Sequence, residues 1–365
     1  MRMTPIRTTS IAIVGGGYAG LLAANRSAAR GHQVTLINDR DRFVDRIRLH
    51  EIVAGTRPLE LVTPRLADLL DRRIELLLGR AQRVESGCVQ LADGRRVQAE
   101  HVVIATGSGA AHGPGSLEWA TRAHAGLTQL SDGAQVVVLG GGPTGIEVAT
   151  EVAEARPDLR IVLADPVTPG AALSPRGRRH LAAAFERHGI RVLASAPAAD
   201  LVINCTGFRL DTLATDSGLA GPHGPMDVDA HLRVPGLPNV WGAGDAVRVA
   251  GQPHLRMGCA SAEPLGALVA DAIHRVSRGA PAPAVSVGYV GLDLSLGRRD
   301  GLLQLAHADD SPRNAIVSGR AGALVKTAIC WGAATAPVRW SRWYPVLPGP
   351  ANRSASAMEP AAAHG

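Results

Sequence analysis

Two glycine-rich segments with the same spacing give the clearest chemical signal in the sequence. The first is Gly15-Gly16-Gly17-Tyr18-Ala19-Gly20, and the second is Gly140-Gly141-Gly142-Pro143-Thr144-Gly145. Where such a segment joins a strand to a helix, its glycines allow a tight turn, close approach of a pyrophosphate and tight helix packing. The helix N-terminus adds free N–H groups and the positive end of its dipole. We therefore expect two dinucleotide sites.

Three ionisable side chains follow the first segment in a polar stretch that is typical of a turn entering a helix. They are Arg46, Arg48 and His50. In one interpretation they donate a proton or bind an anionic electron acceptor. In the other they are ordinary solvated charges at a helix start. The sequence leaves both interpretations open.

Both glycine segments lie in the strand, helix, strand order of a nucleotide-binding unit. A buried parallel strand is an unbroken apolar run, and such a run directly precedes each segment. Gly31 and Pro157 end the two helices. The predicted strand, helix and second strand are residues 11–14, 21–30 and 34–37 in the first unit and 136–139, 146–156 and 161–163 in the second.

Short alternating segments follow the first unit and indicate a small antiparallel meander with a hairpin turn at Asp93-Gly94. Its predicted strands are residues 74–77, 83–84, 88–91 and 96–97. An apolar strand then ends in Ala105-Thr106-Gly107, and residues 108–131 are interpreted as the crossing between domains. The second unit has a matching strand ending in Thr206-Gly207, but residues 194–200 leave no room for a meander.

The remaining elements complete the predicted fold class. A strand ends in Gly244-Asp245, a helix covers 260–275, and strand-like pieces occur around 285–296, 302–305 and 315–318. We expect an α/β protein with two Rossmann-like, doubly wound dinucleotide-binding domains of the three-layer ββα/βα type, plus a C-terminal α+β region. The predicted boundaries are 8–112 and 223–278 for the two segments of the first domain, 113–222 for the second, 279–345 for a C-terminal interface domain and 346–365 for a disordered tail.

Composition limits the other function classes. The 365-residue chain carries a formal net charge of +6, but its arginines are scattered and Lys326 is its only lysine, so nucleic-acid binding is not expected. Cys88, Cys205, Cys259 and Cys330 are far apart, which predicts neither a metal site nor a redox dithiol. No apolar stretch could cross a bilayer or serve as a signal peptide, so a cytoplasmic location is expected.

The order of these elements over about residues 10–275 resembles the two-dinucleotide-domain flavoproteins. These are the FAD- and NAD(P)-dependent pyridine nucleotide oxidoreductases, which include type II NADH dehydrogenases and relatives of apoptosis-inducing factor. The resemblance rests on the two glycine segments, the two Thr-Gly strand ends and Gly244-Asp245. It implies an enzyme that transfers hydride from NAD(P)H to FAD and then passes electrons to a quinone-like acceptor.

The resemblance assigns FAD to the first site. Asp245 is implied to accept from a ribityl hydroxyl, and backbone amides near Ser261 and Ala262 to face the flavin. Asn38 stands where an acid is expected to bind ribose, and an amide can still hydrogen-bond a hydroxyl. The implied FAD residues are Gly15, Gly16, Gly17, Tyr18, Ala19, Gly20, Asn38, Arg46, Ala105, Thr106, Gly107, Gly244, Asp245, Ser261 and Ala262.

The resemblance assigns NAD(P)H to the second site. Asp165 favours the 2′-OH of NADH over a 2′-phosphate, although Arg156 and Arg160 lie nearby in sequence. Glu147 matches a position that faces the nicotinamide, and the alternative is an exposed helix carboxylate. The implied residues are Gly140, Gly142, Thr144, Gly145, Glu147, Asp165, Thr206 and Gly207, and the catalytic candidates are Glu147, His50 and Arg46.

The electron acceptor is less well defined. Disulfide reductases need a cysteine pair near the flavin, and residues 45–50 contain none. The signature FxGxxxHxxxW of Baeyer-Villiger monooxygenases is also missing. The alternatives to a quinone reductase are a tailoring oxidoreductase of secondary metabolism acting on an organic substrate and a low-turnover flavin-bearing NADH sensor.

An aromatic cluster occurs near the C-terminus of a chain that is only 3% aromatic. Its members are Trp331, Trp340, Trp343 and Tyr344, accompanied by Arg339 and Arg342. Amphipathic rings beside cations suit peripheral contact with the inner face of a membrane. A lid over the flavin or a homodimer contact is the alternative interpretation.

Overall fold

A computed structural model describes residues 8–109, 113, 115–222 and 224–350. The strands are β1 (Ser10–Val14), β2 (Gln33–Asn38), β3 (Ile74–Leu78), β4 (Ala81–Glu85), β5 (Cys88–Leu91), β6 (Arg96–Gln98), β7 (His101–Ile104), β8 (Gln135–Leu139), β9 (Arg160–Ala164), β10 (Arg191–Leu193), β11 (Leu201–Asn204), β12 (Met226–Val228), β13 (Arg233–Val234), β14 (Leu237–Gly242), β15 (Val247–Val249), β16 (Gly291–Ser295), β17 (Gly301–Ala306) and β18 (Pro312–Ser318). The helices are α1 (Tyr18–Ala29), α2 (Leu49–Ala54), α3 (Leu66–Leu69), α4 (Leu117–Thr128), α5 (Pro143–Ala155), α6 (Pro175–Arg187), α7 (Leu213–Asp216), α8 (Cys259–Ser277) and α9 (Gly319–Arg339).

The first sheet has six strands in the order β13-β14-β7-β1-β2-β3. Apart from β13, which runs antiparallel to β14, neighbouring strands are parallel. The central strand β1 is a buried apolar run, as a strand covered on both faces must be. Helices α1 and α8 pack together, and Val84 and Val89 of the β4-β5-β6 sheet share the same core. This is the predicted ββα arrangement.

Strand β3 corrects the predicted meander. Residues 74–78 pair in parallel with β2, with Ile74 opposite Val34, so they extend the six-stranded sheet. Alternating burial is typical of any half-buried strand, so the alternation alone cannot assign β3 to one sheet or the other. The antiparallel meander consists of β4, β5 and β6 only.

The second sheet has four parallel strands in the order β10-β9-β8-β11. Residues 194–200 join β10 to β11 without a strand, which confirms the expected lack of a meander in this unit. Helix α2 comes from the first half of the chain but packs against α4 and α5 in the second core. The first unit therefore supplies part of the second domain's packing.

Helix α4 lies within residues 108–131, the expected crossing between domains. The Oγ of Ser116 accepts a hydrogen bond from the amide of Trp119 at 3.1 Å and so caps the helix. Trp119, Ala123 and Leu127 are buried at helical spacing. The small residues between them hide this period, so the sequence alone does not reveal the helix.

The C-terminal region consists of the antiparallel β16-β17-β18 sheet with α9 packed on β17. The α+β class is confirmed, but α9 itself was missed because its glycines and apolar residues show no one-sided period. A Cβ on Gly322 would overlap the carbonyl oxygen of Gly301, so a glycine there permits the close packing. Residues 351–365 of the predicted disordered tail lie outside the described residues. Within the described part of the chain, no helix combines the length and apolarity needed to span a membrane.

Candidate functional site

The first glycine segment forms the turn between β1 and α1. Gly15 has a φ of +108°, which is open mainly to glycine. A Cβ on Gly20 would overlap the carbonyl oxygen of Gly15, so α1 packs this closely only with glycine at that position. By contrast, a Cβ on Gly17 would meet no atom of the described residues within 4 Å. The turn therefore leaves open space at the N-terminus of α1, where a pyrophosphate fits.

Asn38 supports this turn from the end of β2. Its Oδ1 accepts from the amide of Gly16 at 2.8 Å, and its Nδ2 donates to the carbonyl of Arg40 at 2.8 Å. The amide side chain thus holds the turn as a carboxylate would. The neighbouring Asp39 lines the same open space and offers a carboxylate to a ribose hydroxyl.

A cleft along this turn, called here the first cleft, collects most of the implied FAD residues. Four arginines and three aspartates line it, which gives a net positive wall for a diphosphate. Gly20 and Ser261 do not line it. The implied residues that do are Gly15, Gly16, Gly17, Tyr18, Ala19, Asn38, Arg46, Ala105, Thr106, Gly107, Gly244, Asp245 and Ala262.

Asp245 joins three parts of the chain at the first cleft. One oxygen accepts from the Ser108 hydroxyl at 2.6 Å, and the other accepts from the amide of Gly258 at 2.8 Å. The guanidinium of Arg46 lies 3.7 Å from Asp245 and donates to the carbonyl of Gly115 at 2.9 Å. Arg46 is therefore part of the cleft wall rather than a solvated charge at a helix start.

The N-terminus of α8 reaches the first cleft, but with different amides from those expected. The amides of Ser261 and Ala262 both donate to the carbonyl of Gly258, at 3.3 and 3.0 Å. Because the first turn of the helix uses these two N–H groups, its free end is formed by Cys259 and Ala260. The predicted helix end is present, and the amides that could face a flavin lie two residues earlier.

The second glycine segment repeats this geometry between β8 and α5. Gly140 has a φ of +103°, and a Cβ on Gly145 would overlap the carbonyl oxygen of Gly140. Among the residues that the structure describes, a Cβ on Gly142 would meet no atom within 4 Å. Asp165 accepts from the amide of Gly141 at 2.5 Å, as Asn38 does in the first turn. Both turns therefore fit a dinucleotide in the same way.

Glu147 is buried, with 7% of its surface exposed. Its Oε1 lies 2.8 Å from the Nζ of Lys326 and accepts from the amide of Ser295 at 3.0 Å. Lys326 also lies 2.9 Å from Asp293. Burial alone would lower the pKa of Lys326, but the two carboxylates outweigh it and raise that pKa well above its usual value. The alternative of an exposed helix carboxylate at position 147 is wrong.

His50 lies beside Glu147 and not among the residues that line the first cleft. Its Nδ1 is 3.6 Å from Glu147, its Nε2 is 3.8 Å from Glu151, and the residue is 4% exposed. Burial, together with the charge of Lys326, lowers the pKa of His50 to about 3. The ring is therefore neutral at physiological pH.

Four members of this buried polar cluster are missing from the sequence candidates, namely Glu151, Asp293, Ser295 and Lys326. Glu151 follows Glu147 by one helical turn, and this spacing of two acids in an apolar helix is a usable signal. A single lysine in the whole chain is another. Asp293 and Ser295 come from β16, and no local pattern connects that strand with α5.

The cysteines offer no evident reactive thiolate. All four are free, and Cys88 and Cys330 are buried. Burial raises the pKa of Cys205 and of Cys330 to about 12, so both remain thiols near neutral pH. Within the described residues, no group of three His, Cys, Asp or Glu side chains is arranged to hold a metal ion.

The C-terminal aromatic residues divide into two groups. Trp331, Trp340 and Trp343 are 49%, 47% and 78% exposed. Tyr344 instead turns inward, and its hydroxyl donates to Glu263 at 2.9 Å. The exposed part of the cluster is therefore a tryptophan surface on α9 and the turn that follows it.

Comparisons with known proteins agree with this geometry. Human ferroptosis suppressor protein 1 is 25% identical over 337 residues, which cover 81% of this chain and 88% of that protein. Alternative NAD(P)H-ubiquinone oxidoreductase C1 of Arabidopsis thaliana is 28% identical over 213 residues, 47% of this chain and 41% of that protein. The crystal structure of sulfide:quinone oxidoreductase from Aquifex aeolicus has a TM-score of 0.77 at 16% identity and covers 96% of this chain and 100% of its own.

The match to a family of known proteins includes both glycine turns. The model of the pyridine nucleotide-disulphide oxidoreductases matches residues 9–197, more than half of the chain. The two open turns, the first cleft and the parallel sheets that carry them are the features such enzymes need to hold two nucleotides. The chain belongs to the pyridine nucleotide-disulphide oxidoreductase family and is an FAD-dependent NAD(P)H oxidoreductase.

Proposed function

We propose that the protein transfers hydride from NADH to FAD and passes the electrons on to a quinone. The observation that carries the proposal is the duplicated open turn, at Gly17 and at Gly142, each backed by its own parallel sheet. One turn would hold the flavin nucleotide and the other a nicotinamide that exchanges. When bound, FAD supplies the redox chemistry, and the protein supplies binding, orientation and charge.

The first cleft offers a distinct group for each part of FAD. The open turn at Gly17 and the N-terminus of α1 would bind the pyrophosphate. Asp245 would accept from a ribityl hydroxyl while keeping its bond to the amide of Gly258. The free N-terminus of α8 would place positive potential near the flavin ring, which favours the reduced, negatively charged form.

The preference for NADH rests on the second turn. Asp165 places a carboxylate where the adenosine ribose would lie, and a carboxylate repels the 2′-phosphate of NADPH. Arg156 does not offset this repulsion, because its guanidinium binds Asp158 at 2.6 Å and the carbonyl of Leu127 at 2.8 Å. Of the two arginines that lie near Asp165 in sequence, Arg156 and Arg160, the first is therefore engaged elsewhere.

A quinone acceptor is supported by the name of a relative and by the evidence against a disulfide as the acceptor. The name of the Arabidopsis relative specifies ubiquinone as its acceptor. Thiol-disulfide chemistry has no support, because residues 45–50 contain no cysteine and burial raises the pKa of Cys205 and Cys330. An organic substrate would be the acceptor in the alternative proposal.

A lipid quinone would be reached most easily from a membrane surface. Trp331, Trp340 and Trp343 are exposed close to Arg339 and Arg342, and the guanidinium of Arg342 lies 5.4 Å from the centre of the Trp343 ring. Rings and cations of this kind suit the headgroup region of an anionic bilayer. We therefore propose peripheral membrane contact through the tryptophan surface, with a homodimer contact as the competing use.

Anaerobic titration of the purified, FAD-loaded protein tests the proposed function. We expect NADH to bleach the flavin absorbance, NADPH to do so more weakly, and a soluble quinone to restore it. Absorbance that neither nucleotide bleaches would overturn the proposal. Bleaching by NADH followed by reoxidation with an organic substrate but not with a quinone would select the tailoring enzyme. Bleaching with very slow reoxidation by every acceptor would select the sensor.

A further inference from the structure

The buried polar cluster contains a line of proton-carrying groups that leads inward from one surface. Glu147 and Glu151 lie one turn apart on α5 and so point in the same direction. The imidazole of His50, from α2, lies between them, with Nδ1 3.6 Å from Glu147 and Nε2 3.8 Å from Glu151. Whichever way the ring is turned, one nitrogen faces each carboxylate.

The His50 ring is incompletely bonded for a buried residue. Its Nε2 is buried and has no hydrogen-bond partner among the described residues. The gaps to the two carboxylates exceed the roughly 3.2 Å limit of a good N–H···O bond, so a small movement of the ring would close either one. A buried nitrogen without a bond is unfavourable in a purely structural role, which would fix the ring on one partner.

Glu151 connects this line to solvent. Its Oε1 accepts from the Ser295 hydroxyl at 2.6 Å, and its Oε2 lies 3.5 Å from the hydroxyl of Thr56. Thr56 is exposed and lines a surface depression between α2 and α4, while Glu151 itself is 0% exposed. The line therefore runs from a surface hydroxyl through one carboxyl group and one imidazole to a second carboxyl group.

The inner end of the line is the ion pair of Glu147 and Lys326. Because Lys326 also binds Asp293, a proton that arrives at Glu147 leaves the lysine with a charged partner. The outer end is held by Arg298, whose guanidinium lies 3.1 Å from Glu151 and 3.1 Å from Glu51. The charged or titratable groups that face His50 are Glu147 and Glu151 of α5, Lys326 of α9, Glu51 of α2, and Arg48 and Arg298.

We propose that His50 and Glu151 form a proton relay that carries a solvent proton from the surface at Thr56 to Glu147 during reduction of the acceptor. The inference rests on the proposed function and deepens it. Reduction of a quinone to a hydroquinone takes two electrons and two protons. The hydride from NADH brings both electrons and one proton, so one more proton must come from water. The relay supplies that proton.

Each step of the relay is balanced. The Glu151 carboxyl group gives its proton to one ring nitrogen of His50, while the other ring nitrogen gives its proton to the Glu147 carboxylate. Glu147 then gives its proton to the acceptor as it is reduced and returns to the carboxylate. Glu151 takes a proton from water at Thr56, and reorientation of the ring brings its N–H back to the side of Glu147. The pKa values of Glu151 and His50 suit these roles. Burial, opposed by the Ser295 hydrogen bond and Arg298, raises the pKa of Glu151 to about 7, and the lowered pKa of His50 keeps its ring neutral.

Two variants and one matched control test the relay. His50→Gln and Glu151→Gln keep side chains of similar size and polarity but cannot carry a proton. His188→Gln is the control, because His188 is a partly buried histidine whose ring has one described hydrogen bond, to the Leu296 carbonyl at 3.0 Å. All three are compared with the wild type at equal flavin content.

The first measurement does not depend on turnover. Infrared difference spectra recorded against pH should show a carboxyl group that titrates near pH 7 in the wild type and in His188→Gln. The band should be lost in Glu151→Gln and should shift in His50→Gln, because the partner of the carboxyl group has changed. A wild-type spectrum without such a group, or a band unaltered in both variants, would overturn the relay.

The second measurement separates the two half-reactions by stopped flow. We expect bleaching by NADH to stay within about twofold in both variants, because hydride transfer takes no proton from water. Reoxidation by a quinone, and the uptake of one proton followed with an indicator dye, should slow by roughly tenfold to a hundredfold, with a changed pH profile. A merely structural role would instead slow both half-reactions and leave the pH profile in place, which would overturn the relay.

The outcomes separate this inference from the proposed function. A wild-type protein that NADH does not bleach would overturn the proposed function and the relay with it. A wild-type protein that reduces a quinone, with both variants taking up protons at the wild-type rate, would overturn the relay alone. If one variant does not fold, the other decides on the same criteria.

Discussion

The Nζ of Lys326 lies 2.8 Å from the Oε1 of Glu147, and this contact ties the C-terminal helix α9 to helix α5 of the second glycine turn. Both groups are at most 10% exposed, and Asp293 completes the arrangement from β16. The C-terminal region is thereby fixed to the nucleotide-binding unit through charge as well as apolar packing.

Replacing Lys326 with methionine should destabilise the fold strongly. The substitution leaves the buried Glu147 and the partly buried Asp293 without a counterion, and breaking a buried pair in this way costs about 3–5 kcal/mol. Urea unfolding gives the free energy. The triple variant K326M/E147Q/D293N removes all three charges and should recover much of the loss. If Lys326→Met is as stable as the wild type, the charges of Glu147 and Asp293 are not desolvated in the folded protein.

The glycines at positions 17 and 20 should respond in opposite ways to alanine. A Cβ at position 20 meets the Gly15 carbonyl, so Gly20→Ala should lower stability and flavin content together. A Cβ at position 17 meets no atom of the described residues, so Gly17→Ala should leave the apoprotein's melting temperature unchanged and weaken FAD binding. Thermal melts of apoprotein and flavin fluorescence titrations separate the two effects. Equal FAD affinity in Gly17→Ala and wild type would show that the pyrophosphate does not bind against Gly17.

Asp165→Asn should reduce the preference for NADH. Asn38 shows that an amide in the equivalent place can accept from the second glycine amide, so the turn should persist. Loss of the negative charge should lower KM for NADPH by roughly tenfold, about 1.4 kcal/mol, with little change for NADH. Steady-state kinetics with both nucleotides measures the ratio. An unchanged ratio would mean that Asp165 does not face the 2′ position.

His50 should destabilise the protein in acid. The pKa of His50 is lowered to about 3 in the folded state, from 6.5 in the unfolded chain, so the unfolded state binds an extra proton between these values. Above pH 6.5 the ionisation of His50 does not lower the free energy of unfolding. As the pH falls below 6.5, the free energy of unfolding decreases, by about 2 kcal/mol at pH 5. His50→Gln should therefore lose less stability than wild type between pH 7 and pH 5. Parallel losses in urea unfolding would contradict the buried neutral ring.

The tryptophan surface should bind anionic vesicles. The double variant W340S/W343S removes two exposed rings and should weaken vesicle sedimentation by about tenfold or more, because each ring contributes on the order of a kcal/mol at the interface. Leu61→Ser is the control, because Leu61 is an apolar side chain that is 63% exposed and is not part of the tryptophan surface. If the tryptophan variant instead changes the sedimentation coefficient of the protein alone, the surface is a homodimer contact.

The local parts of the fold could be predicted from the sequence because they depend on neighbouring residues. The turns at Gly15 and Gly140, the strands before them and the helix at α8 are each set by a short pattern of glycine and apolar residues. The other elements depend on contacts between residues that are distant in sequence. The alternation of polar and apolar residues could not show whether residues 74–78 join the parallel sheet. Helix α9 could not be predicted because its apolar residues do not follow one face.

The first cleft and the buried polar cluster differ in the same way in how far the sequence could predict them. The residues of the first cleft lie next to recognisable motifs, and most of those predicted do line it. The buried polar cluster instead brings together His50, Glu147 and Lys326 from three distant segments. No local pattern could pair these residues, although the lone lysine of the chain was visible from the start.

The bond between Asp245 and the amide of Gly258 has a consequence for the order of assembly during synthesis. The first cleft is built from residues near the start of the chain but is closed by Gly244, Asp245 and Ala262. A ribosome must make the whole second domain before these residues emerge. The nascent chain therefore lacks one side of the first cleft until residues 244–262 have been made.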